Sequence, residues 1–206
     1  MNERQQMVEK YMARQLHHLA NDPNDSRVRA ELANLRRGIG RKPGDLPELW
    51  GLLFADLPEE LMSKSGEPTA AEWAIYTALT LYAQHQQGKS IREKNMHCRE
   101  DFGRLGCAIS RLVSGEEERE RVARRFNAFA TANDMQEAAY YLRGLVQLLR
   151  AKDIPLDYVQ LARDLFDFQS PVSAANVRLR WGQDFYRMKK NDEDTNSELD
   201  SSNAEE

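Results

Sequence analysis

The clearest hydrophobic pattern along the chain lies in residues 133–150 and predicts a helix with two different faces. Asp134 is placed to cap its start, and Glu137 stands three residues later, where a capping box carries its acid. The apolar positions at helical spacing are Ala138, Tyr141, Leu142, Leu145, Val146 and Leu149. A polar row at similar spacing on another face consists of Arg143, Gln147 and Arg150. We expect the rest of the fold to be organised around this helix.

Three glycines lie inside predicted helices. Gly144 costs its helix about 1 kcal/mol relative to alanine, which is most simply explained by another helix or a ligand backbone passing close. Gly103 and Gly106 leave two positions without a side chain in a helix predicted to start at Asp101. Its expected inward positions are Phe102, Leu105, Ile109 and Leu112. We expect a neighbouring element to pack tightly against this second helix as well.

Helical periodicity recurs over most of the remaining chain. Further helices are predicted over 3–20, from Ser26 to about Arg37, from Pro47 to Asp56, after a Thr69–Glu72 capping box, over 116–130, with Pro155 near N1, and from Pro171. The short third helix is expected to bury Leu49, Trp50, Leu53 and Phe54. No useful segment alternates apolar and polar residues, and no Asn-Gly hairpin signal is present. The pattern therefore predicts an all-α fold, a bundle of about eight or nine helices joined by short loops.

A polar, irregular stretch at 89–100 separates a weaker N-terminal part from a strongly periodic C-terminal bundle. We expect four parts along the chain. They are an N-terminal helix and turn at 1–25, an N-terminal helical part at 26–100, a C-terminal helical bundle at 101–190, and an acidic disordered tail at 191–206.

The net charge of −4 hides an uneven distribution of acids and bases. Residues 191–206 contain seven acids and no base, which leaves 26 acids and 29 bases in residues 1–190, a net charge of +3. A mildly basic body is compatible with an anionic partner, and the acidic tail is expected to stay solvated. For the tail alone, an aid to solubility is the favoured interpretation.

Composition points to a protein of the reduced cytoplasm. No apolar run approaches the roughly 18 residues of a membrane span, and residues 1–6 contain no apolar core of a signal peptide. Two cysteines, Cys98 and Cys107, cannot form a disulfide framework. Cys107 lies among Leu105, Ala108 and Ile109, which favours a buried small hydrophobic residue.

Candidate catalytic groups are sparse. His97 and Cys98, with Cys107, lack the spacing of a metal site. Asp164 and Asp167 stand at i, i+3, as in a helical hydrolase, but a solvated face is the favoured interpretation. We therefore expect no enzyme activity, no metal and no cofactor, and keep a helical hydrolase using the two aspartates or His97 as a minor alternative.

Basic residues cluster at three places instead. Between Arg36 and Lys42, four bases and two glycines form a predicted loop in which a backbone can approach a phosphate and arginines can chelate it. The same loop also fits a helix C-terminus capped by Gly38, and both interpretations can hold together. Arg143 and Arg150 lie on the central helix. The last helix carries the bases Arg178, Arg180 and Arg187. Local ion pairs of the i, i+4 type, Arg180–Asp184 and Arg163–Asp167, are expected to contribute a few tenths of a kcal/mol each.

Several segments of the chain resemble the CasB family, the small subunit of the type I-E CRISPR surveillance complex, Cascade. The resembling segments are Leu79–Gly88, Arg125–Phe129, Tyr141–Arg150, Ile154–Tyr158, Leu161–Leu165 and Val177–Tyr186. The resemblance covers roughly residues 30–190 and is dense from residue 101 onward. Most of these residues are packing residues, so they identify a family better than they mark a site.

The resemblance implies an all-α, non-enzymatic subunit, present as two copies beside the backbone and large subunits of Cascade in antiviral defence. It implies that the subunit stabilises the R-loop, the guide RNA paired to target DNA with the other strand displaced, through sequence-independent basic contacts. The matching nucleic-acid-binding positions are Arg36, Arg37, Arg143, Arg178 and Arg180. Helical spacing adds Arg41, Lys42, Arg150 and Arg187 to this set. A helical scaffold that touches only proteins is the main alternative.

Overall fold

The computed structural model describes the backbone of residues 3–202 and the side chains of residues 3–187. In this part of the chain, nine α-helices and no strand are found. The helices are α1 (Glu3–Asn21), α2 (Asp25–Arg37), α3 (Trp50–Phe54), α4 (Ala70–His85), α5 (Leu105–Ser110), α6 (Glu116–Ala130), α7 (Met135–Ala151), α8 (Tyr158–Phe168) and α9 (Pro171–Ser202). Short 3-10 turns occupy Pro47–Leu49, Glu59–Leu61 and Asp101–Gly103. The predicted all-α bundle is confirmed.

Helix α4, rather than α7, lies at the centre of the fold. All of its residues except Ala70 and Trp73 are buried. It packs against α1, α2, α7 and α8. The expectation that residues 133–150 organise the chain is therefore wrong. A helix surrounded by other helices is apolar on every side and has a weak amphipathic pattern, whereas α7 buries one stripe and so has the stronger periodicity.

Two predicted helix starts are confirmed by their caps. At α4, the Thr69 hydroxyl accepts a hydrogen bond from Glu72 N (3.1 Å), and the Glu72 carboxylate accepts one from Thr69 N (2.7 Å). At α7, the Asp134 carboxylate accepts a hydrogen bond from Glu137 N (2.8 Å). Both arrangements satisfy amide groups that have no partner within the first turn of a helix.

Two other starts differ from the prediction. Helix α2 is capped by Asn24 instead of Ser26, which lies inside the first turn. Helix α8 begins at Tyr158 after the cap Asp157, so Pro155 precedes the helix and is not its first residue. An isolated parallel bridge between His97 and Leu156 holds this segment extended, and tertiary pairing of this kind leaves no local signal.

Helices α5 and α9 are in close contact at Gly106, as the glycine predicted. A Cβ atom there would overlap the carbonyl oxygen of Trp181 and lie 2.7 Å from Asp184 Cβ. Gly144 behaves differently, because a Cβ atom there would meet no atom within 4 Å. The neighbouring helix expected at Gly144 is therefore absent among the described residues.

An aromatic cluster joins α6, α8 and α9. Its members are Phe126, Phe129, Phe168, Trp181 and Phe185, with ring centroids 4.9–6.5 Å apart in the contacting pairs. Aromatic pairs at such distances stabilise a fold by more than the burial of their apolar surface alone. The aromatic residues therefore fix how the last helix lies on the bundle.

Two aromatic residues that were expected to be buried are exposed. Trp50 is 51% exposed and donates a hydrogen bond to the Gly44 carbonyl (2.9 Å). Phe102 is 41% exposed beneath the guanidinium of Arg111 and lies in a 3-10 turn, so the helix predicted from Asp101 starts only at Leu105. An amphipathic pattern in a short element does not distinguish a buried aromatic from one that covers a loop.

One hydrophobic core extends from α1 to α9 across the helix-free segment 89–100. The four-part division of the chain stays a prediction, and the predicted acidic tail at 191–206 lies outside the described side chains. In residues 3–202, none of the helices combines the length and apolar character needed to cross a bilayer.

Candidate nucleic-acid interface

The nine predicted binding residues form three groups, according to the elements on which they lie or which they contact. The α4-end group contains Arg36, Arg143 and Arg150, the α2-loop group contains Arg37, Arg41 and Lys42, and the α9 group contains Arg178, Arg180 and Arg187. The groups differ in how many of their bases form an ion pair with a described carboxylate.

The α4-end group surrounds the C-terminal half of the central helix. Arg36 Nη1 lies 3.5 Å from the Ala83 carbonyl oxygen. Gln84 Nε2 donates to the Arg143 carbonyl (3.2 Å), and Arg150 Nη1 donates to Gln87 Oε1 (2.7 Å). Segments far apart in the chain thus meet near the C-terminus of α4, and the helix dipole there favours the guanidinium groups of Arg36 and Arg150. None of these three guanidinium groups has an ion-pair partner among the described side chains.

The α2-loop group is partly neutralised. Arg37 pairs with Glu48 (2.8 Å), and Lys42 pairs with Glu67. Arg41 is exposed and has no carboxylate partner among the described residues. Gly38 caps α2 as predicted, with φ −75°, and its carbonyl accepts a hydrogen bond from Tyr76 Oη (2.7 Å). A Cβ atom at Gly38 would lie 2.6 Å from that hydroxyl oxygen, so the glycine is required by close packing.

Arg180 of the α9 group belongs to a buried polar network centred on Asp164. The Asp164 carboxylate, 4% exposed, accepts hydrogen bonds from Arg180 Nη2 (2.7 Å), Trp181 Nε1 (2.8 Å) and Gln160 Nε2 (2.7 Å). The expectation that Asp164 lies on a solvated face is therefore wrong. Its oxygens are occupied by donors of the protein, which gives the helical hydrolase alternative no support.

The local ion pairs expected from i, i+4 spacing do not form. Asp184 pairs with Arg104 (3.2 Å) and not with Arg180; burial raises the pKa of Asp184, an effect opposed by Arg104. Arg163 lies nearest Glu9 (3.9 Å). Asp167 accepts a hydrogen bond from Gln5 (2.5 Å), and burial raises its pKa. Both carboxylates instead meet polar groups of other segments, Arg104 just before α5 and Gln5 of α1.

The other two bases of the α9 group have no ion-pair partner within the described side chains. Arg178 Nε donates to the Ala130 carbonyl (2.7 Å), and its guanidinium lies 5.1 Å from the centroid of the Phe168 ring. Arg187 is exposed and lies near enough to Asp184 to lower the pKa of that carboxyl. Arg178 is therefore held in place with its charge intact.

Six of the nine predicted residues thus have no ion-pair partner within the described side chains. They are Arg36, Arg41, Arg143, Arg150, Arg178 and Arg187. Arg37, Lys42 and Arg180 are paired. A free guanidinium can form bidentate hydrogen bonds with a phosphate without first losing a carboxylate.

The structure also places bases outside the predicted set beside Arg36. A cavity of about 470 Å³ between α1, α2 and the turn after α4 is lined by the bases Arg29, Arg36, Lys89 and Arg92, together with Asp22 and Asp25. Lys89 contacts the Arg150 carbonyl (3.3 Å) and pairs with Asp153, as does Lys94. Hydrogen bonds from Lys94 and Lys89 lower the pKa of Asp153 to about 2. The bases Lys89, Arg92 and Lys94 were the available signal in the sequence, and they lie within the polar, irregular stretch at 89–100.

Helix α6 adds a further basic surface. Arg121, Arg124 and Arg125 are exposed and have no ion-pair partner among the described side chains. Positions three and four residues apart share one helix face, so these residues form a row. Their spacing was visible in the sequence, but nothing there distinguished them from an ordinary solvated face.

Two buried titratable groups, His85 and Tyr158, meet at the C-terminal end of α4. His85 is fully buried, its Nδ1 lies 3.0 Å from Tyr158 Oη, and burial lowers its pKa to about 4, with Lys89 and Arg150 acting in the same direction. Cys107 is buried as predicted. Among the described residues, no cluster of three or more His, Cys, Asp or Glu side chains could hold a metal ion.

Comparisons with known proteins agree with this architecture. The family model of the CRISPR-associated protein Cse2 matches residues 31–186. The crystal structure of CasB from Thermobifida fusca is similar at 37% identity and a TM-score of 0.67, covering 88% of this chain and 97% of that one. The crystal structure of M. ruber CasB shares the fold at 22% identity and a TM-score of 0.65, covering 91% and 97%. No curated protein matches significantly. The chain belongs to the Cse2 (CasB) family of CRISPR-associated proteins.

Proposed function

We propose that this chain is the non-catalytic small subunit of an RNA-guided Cascade complex and stabilises the R-loop through sequence-independent contacts of its bases with target and displaced DNA strands. The observation that carries the proposal is made in a member of the Cse2 family: six predicted binding residues have no ion-pair partner among the side chains that the structure describes. Its partners would be the backbone and large subunits and a second copy of itself in the cytoplasm, in antiviral defence.

Small contacts are sufficient for this role. Exchange of a DNA duplex for an RNA–DNA hybrid is nearly balanced in free energy, so a few phosphate contacts can shift it. Arg36 and Arg150 contact the end of the central helix and the turn after it through their guanidinium groups, and Arg143 contacts the helix through its carbonyl. Among the described side chains, none of the three is held by a carboxylate that a phosphate would have to displace. Contacts of this kind do not read bases and weaken with salt.

The charge of the body also sets the strength of binding. Residues 1–190 carry a net charge of only +3. We therefore expect weak binding of nucleic acid by the isolated subunit and effective binding inside the assembly, where neighbouring sites raise the effective concentration. Nanomolar binding of DNA by the purified chain at physiological salt would contradict this expectation.

The decisive experiment compares two triple variants in the assembled complex. One removes the α4-end group (Arg36→Ala, Arg143→Ala, Arg150→Ala). The control removes three bases that are paired with carboxylates, Arg27, Lys94 and Lys152. R-loop yield on a target duplex is measured by permanganate reactivity of the displaced strand over a range of salt concentrations.

We expect the first variant to reduce R-loop yield strongly and to lower the salt slope by about 2, since each lost phosphate contact contributes about 0.7–0.9 to that slope. The control should change both quantities much less. Equal losses in both variants would mean that net charge matters and position does not. Normal R-loop formation by the first variant would favour the scaffold that touches only proteins.

A further inference from the structure

Tyr140 on α7 is placed on the surface without a structural role in the fold. Its side chain is 73% exposed. Its ring meets the Tyr141 ring edge to face at 5.5 Å, and among the described residues its hydroxyl has no hydrogen-bond partner. The buried stripe of α7 lies on another side of the helix. An amphipathic ring exposed in this way is free to contact a partner with its face.

Gly144 stands one helical turn after Tyr140 and has no packing function. Glycine is the least favourable residue for a helix interior after proline. A Cβ atom at this position would meet no atom within 4 Å, in contrast to Gly106, where neighbouring backbone excludes a side chain. The effect of Gly144 is therefore an open space above the helix backbone, beside the exposed ring.

Arg143 supplies charge at the same place. Its side chain is exposed and has no ion-pair partner among the described residues. Its carbonyl oxygen accepts a hydrogen bond from Gln84, which anchors this turn of α7 to the central helix. A negatively charged partner is thus favoured over a neutral or basic one at this position.

We infer that Tyr140, Arg143 and Gly144 form a stacking site for one base of single-stranded nucleic acid, an inference that rests on the proposed function. The unpaired base lies on the Tyr140 ring, Arg143 contacts the adjacent phosphate, and the missing side chain at Gly144 admits the sugar–phosphate chain to the helix. Aromatic stacking tolerates any base and requires an unpaired strand, because bases within a duplex already stack on one another. The displaced strand of an R-loop meets this requirement.

The test uses the assembled complex and target duplexes with 5-bromodeoxyuridine at single positions of the displaced strand. Photocrosslinking to this subunit and the dissociation constant for target DNA are measured for Tyr140→Ala, Tyr140→Phe and Gly144→Leu. We expect a cross-link to α7 in the wild type. We expect about a tenfold loss of affinity and loss of the cross-link for Tyr140→Ala and Gly144→Leu. Tyr140→Phe should bind like the wild type, since it keeps the ring.

The variants separate stacking from a general loss of structure. The leucine side chain at position 144 enters open space on a helix that prefers it, so the melting temperature of the full chain should be unchanged or higher. Unchanged binding by Tyr140→Ala would overturn the inference. So would a loss of the subunit from the complex in Tyr140→Ala, because it would identify a protein-docking residue.

Failure of this inference is distinguishable from failure of the proposed function. If the α4-end triple variant impairs the R-loop while Tyr140→Ala and Gly144→Leu do not, the bases act and the stacking site is wrong. If none of these variants has an effect, the proposed function itself is wrong and the stacking site is wrong with it.

Discussion

Helices α7 and α9 carry similar rows of arginine in the sequence and use them differently in the structure. On α9, Arg180 is held by the buried carboxylate of Asp164, and Arg178 is held by a carbonyl and an aromatic ring. On α7, the guanidinium of Arg143 has no ion-pair partner among the described residues, and only its carbonyl is engaged. The spacing of bases along a helix therefore does not tell a structural arginine from one that is available to a ligand.

Whether an arginine of these helices is ion-paired depends on where the nearest carboxylate lies in the fold. Asp184 is the apparent partner of Arg180 at i, i+4, yet Asp164 on a neighbouring helix takes that role. Burial strengthens such a pair only while its hydrogen bonds are complete. We therefore expect α9 to respond to substitution mainly through stability, and α7 mainly through binding.

Asp164→Ala should give the largest change. It leaves the buried indole N–H of Trp181 without its acceptor and also removes the partner of Arg180 and Gln160. Loss of one member of a buried charged network costs about 3–5 kcal/mol. Because Arg180 is partly exposed, we expect a decrease in the free energy of unfolding toward the lower end of this range, about 3–4 kcal/mol. Chemical denaturation measures it.

The matched control for that experiment is Asp164→Asn, which keeps the shape and one acceptor oxygen and removes the charge. We expect it to lose less stability than the alanine variant. A free energy of unfolding within 0.5 kcal/mol of the wild type for Asp164→Ala, a bound typical of surface substitutions, would show that this network is not structural.

The second effect concerns His85, which lies beneath the α7 surface. Its pKa is about 4 in the folded chain and about 6.5 when unfolded, so between these values only the unfolded state binds the proton. The free energy of unfolding should therefore fall as pH falls from 6.5 to 4, by about 3 kcal/mol in total. Denaturation of the wild type and of His85→Gln over this range measures the difference.

Other titratable groups contribute to the pH dependence of the wild type and of His85→Gln alike, so their contributions cancel when the two stability curves are subtracted. They are the Tyr158 hydroxyl, Lys89, Arg150 and Asp153 around the ring, and His97, whose pKa is also lowered by burial. Parallel stability curves for the wild type and His85→Gln would mean that the ring titrates normally in the folded chain.

Much of the fold could be predicted from local patterns, and the exceptions have physical causes. The caps Thr69 and Asp134 and the tight contact at Gly106 depend on residues close in sequence or on a missing side chain. The central role of α4 could not be predicted, because a helix buried on all sides has little amphipathic pattern. The family resemblance was confirmed at the level of the family.

The site was harder to predict than the fold. The sequence placed Arg143 and Arg180 in one set, and only tertiary contacts separated the free base from the paired one. Nothing in the sequence indicated that Lys89 lies beside the α4-end group, where it donates a hydrogen bond to the Arg150 carbonyl. Ion pairs between distant segments have no signature in helical spacing.

A smaller effect is expected for single arginines. In the assembled complex, Arg143→Ala should lower the salt slope of DNA binding by about 0.7–0.9 and cost about 1 kcal/mol of binding free energy, without changing the melting temperature. Arg180→Ala should change the melting temperature more and the salt slope less, because its charge is already balanced by Asp164. The reverse ranking would contradict the distinction between the two helices.

The smallest effect is expected from releasing a paired base. Lys42 pairs with the exposed carboxylate of Glu67, and an exposed pair of this kind contributes at most about 1 kcal/mol to stability. Glu67→Gln should therefore leave the free energy of unfolding within about 0.5 kcal/mol of the wild type and raise the affinity of the complex for target DNA about two- to threefold, mostly at low salt. Glu3→Gln removes one acid from another surface and serves as the charge control. An equal gain in both variants would mean that Lys42 does not act locally.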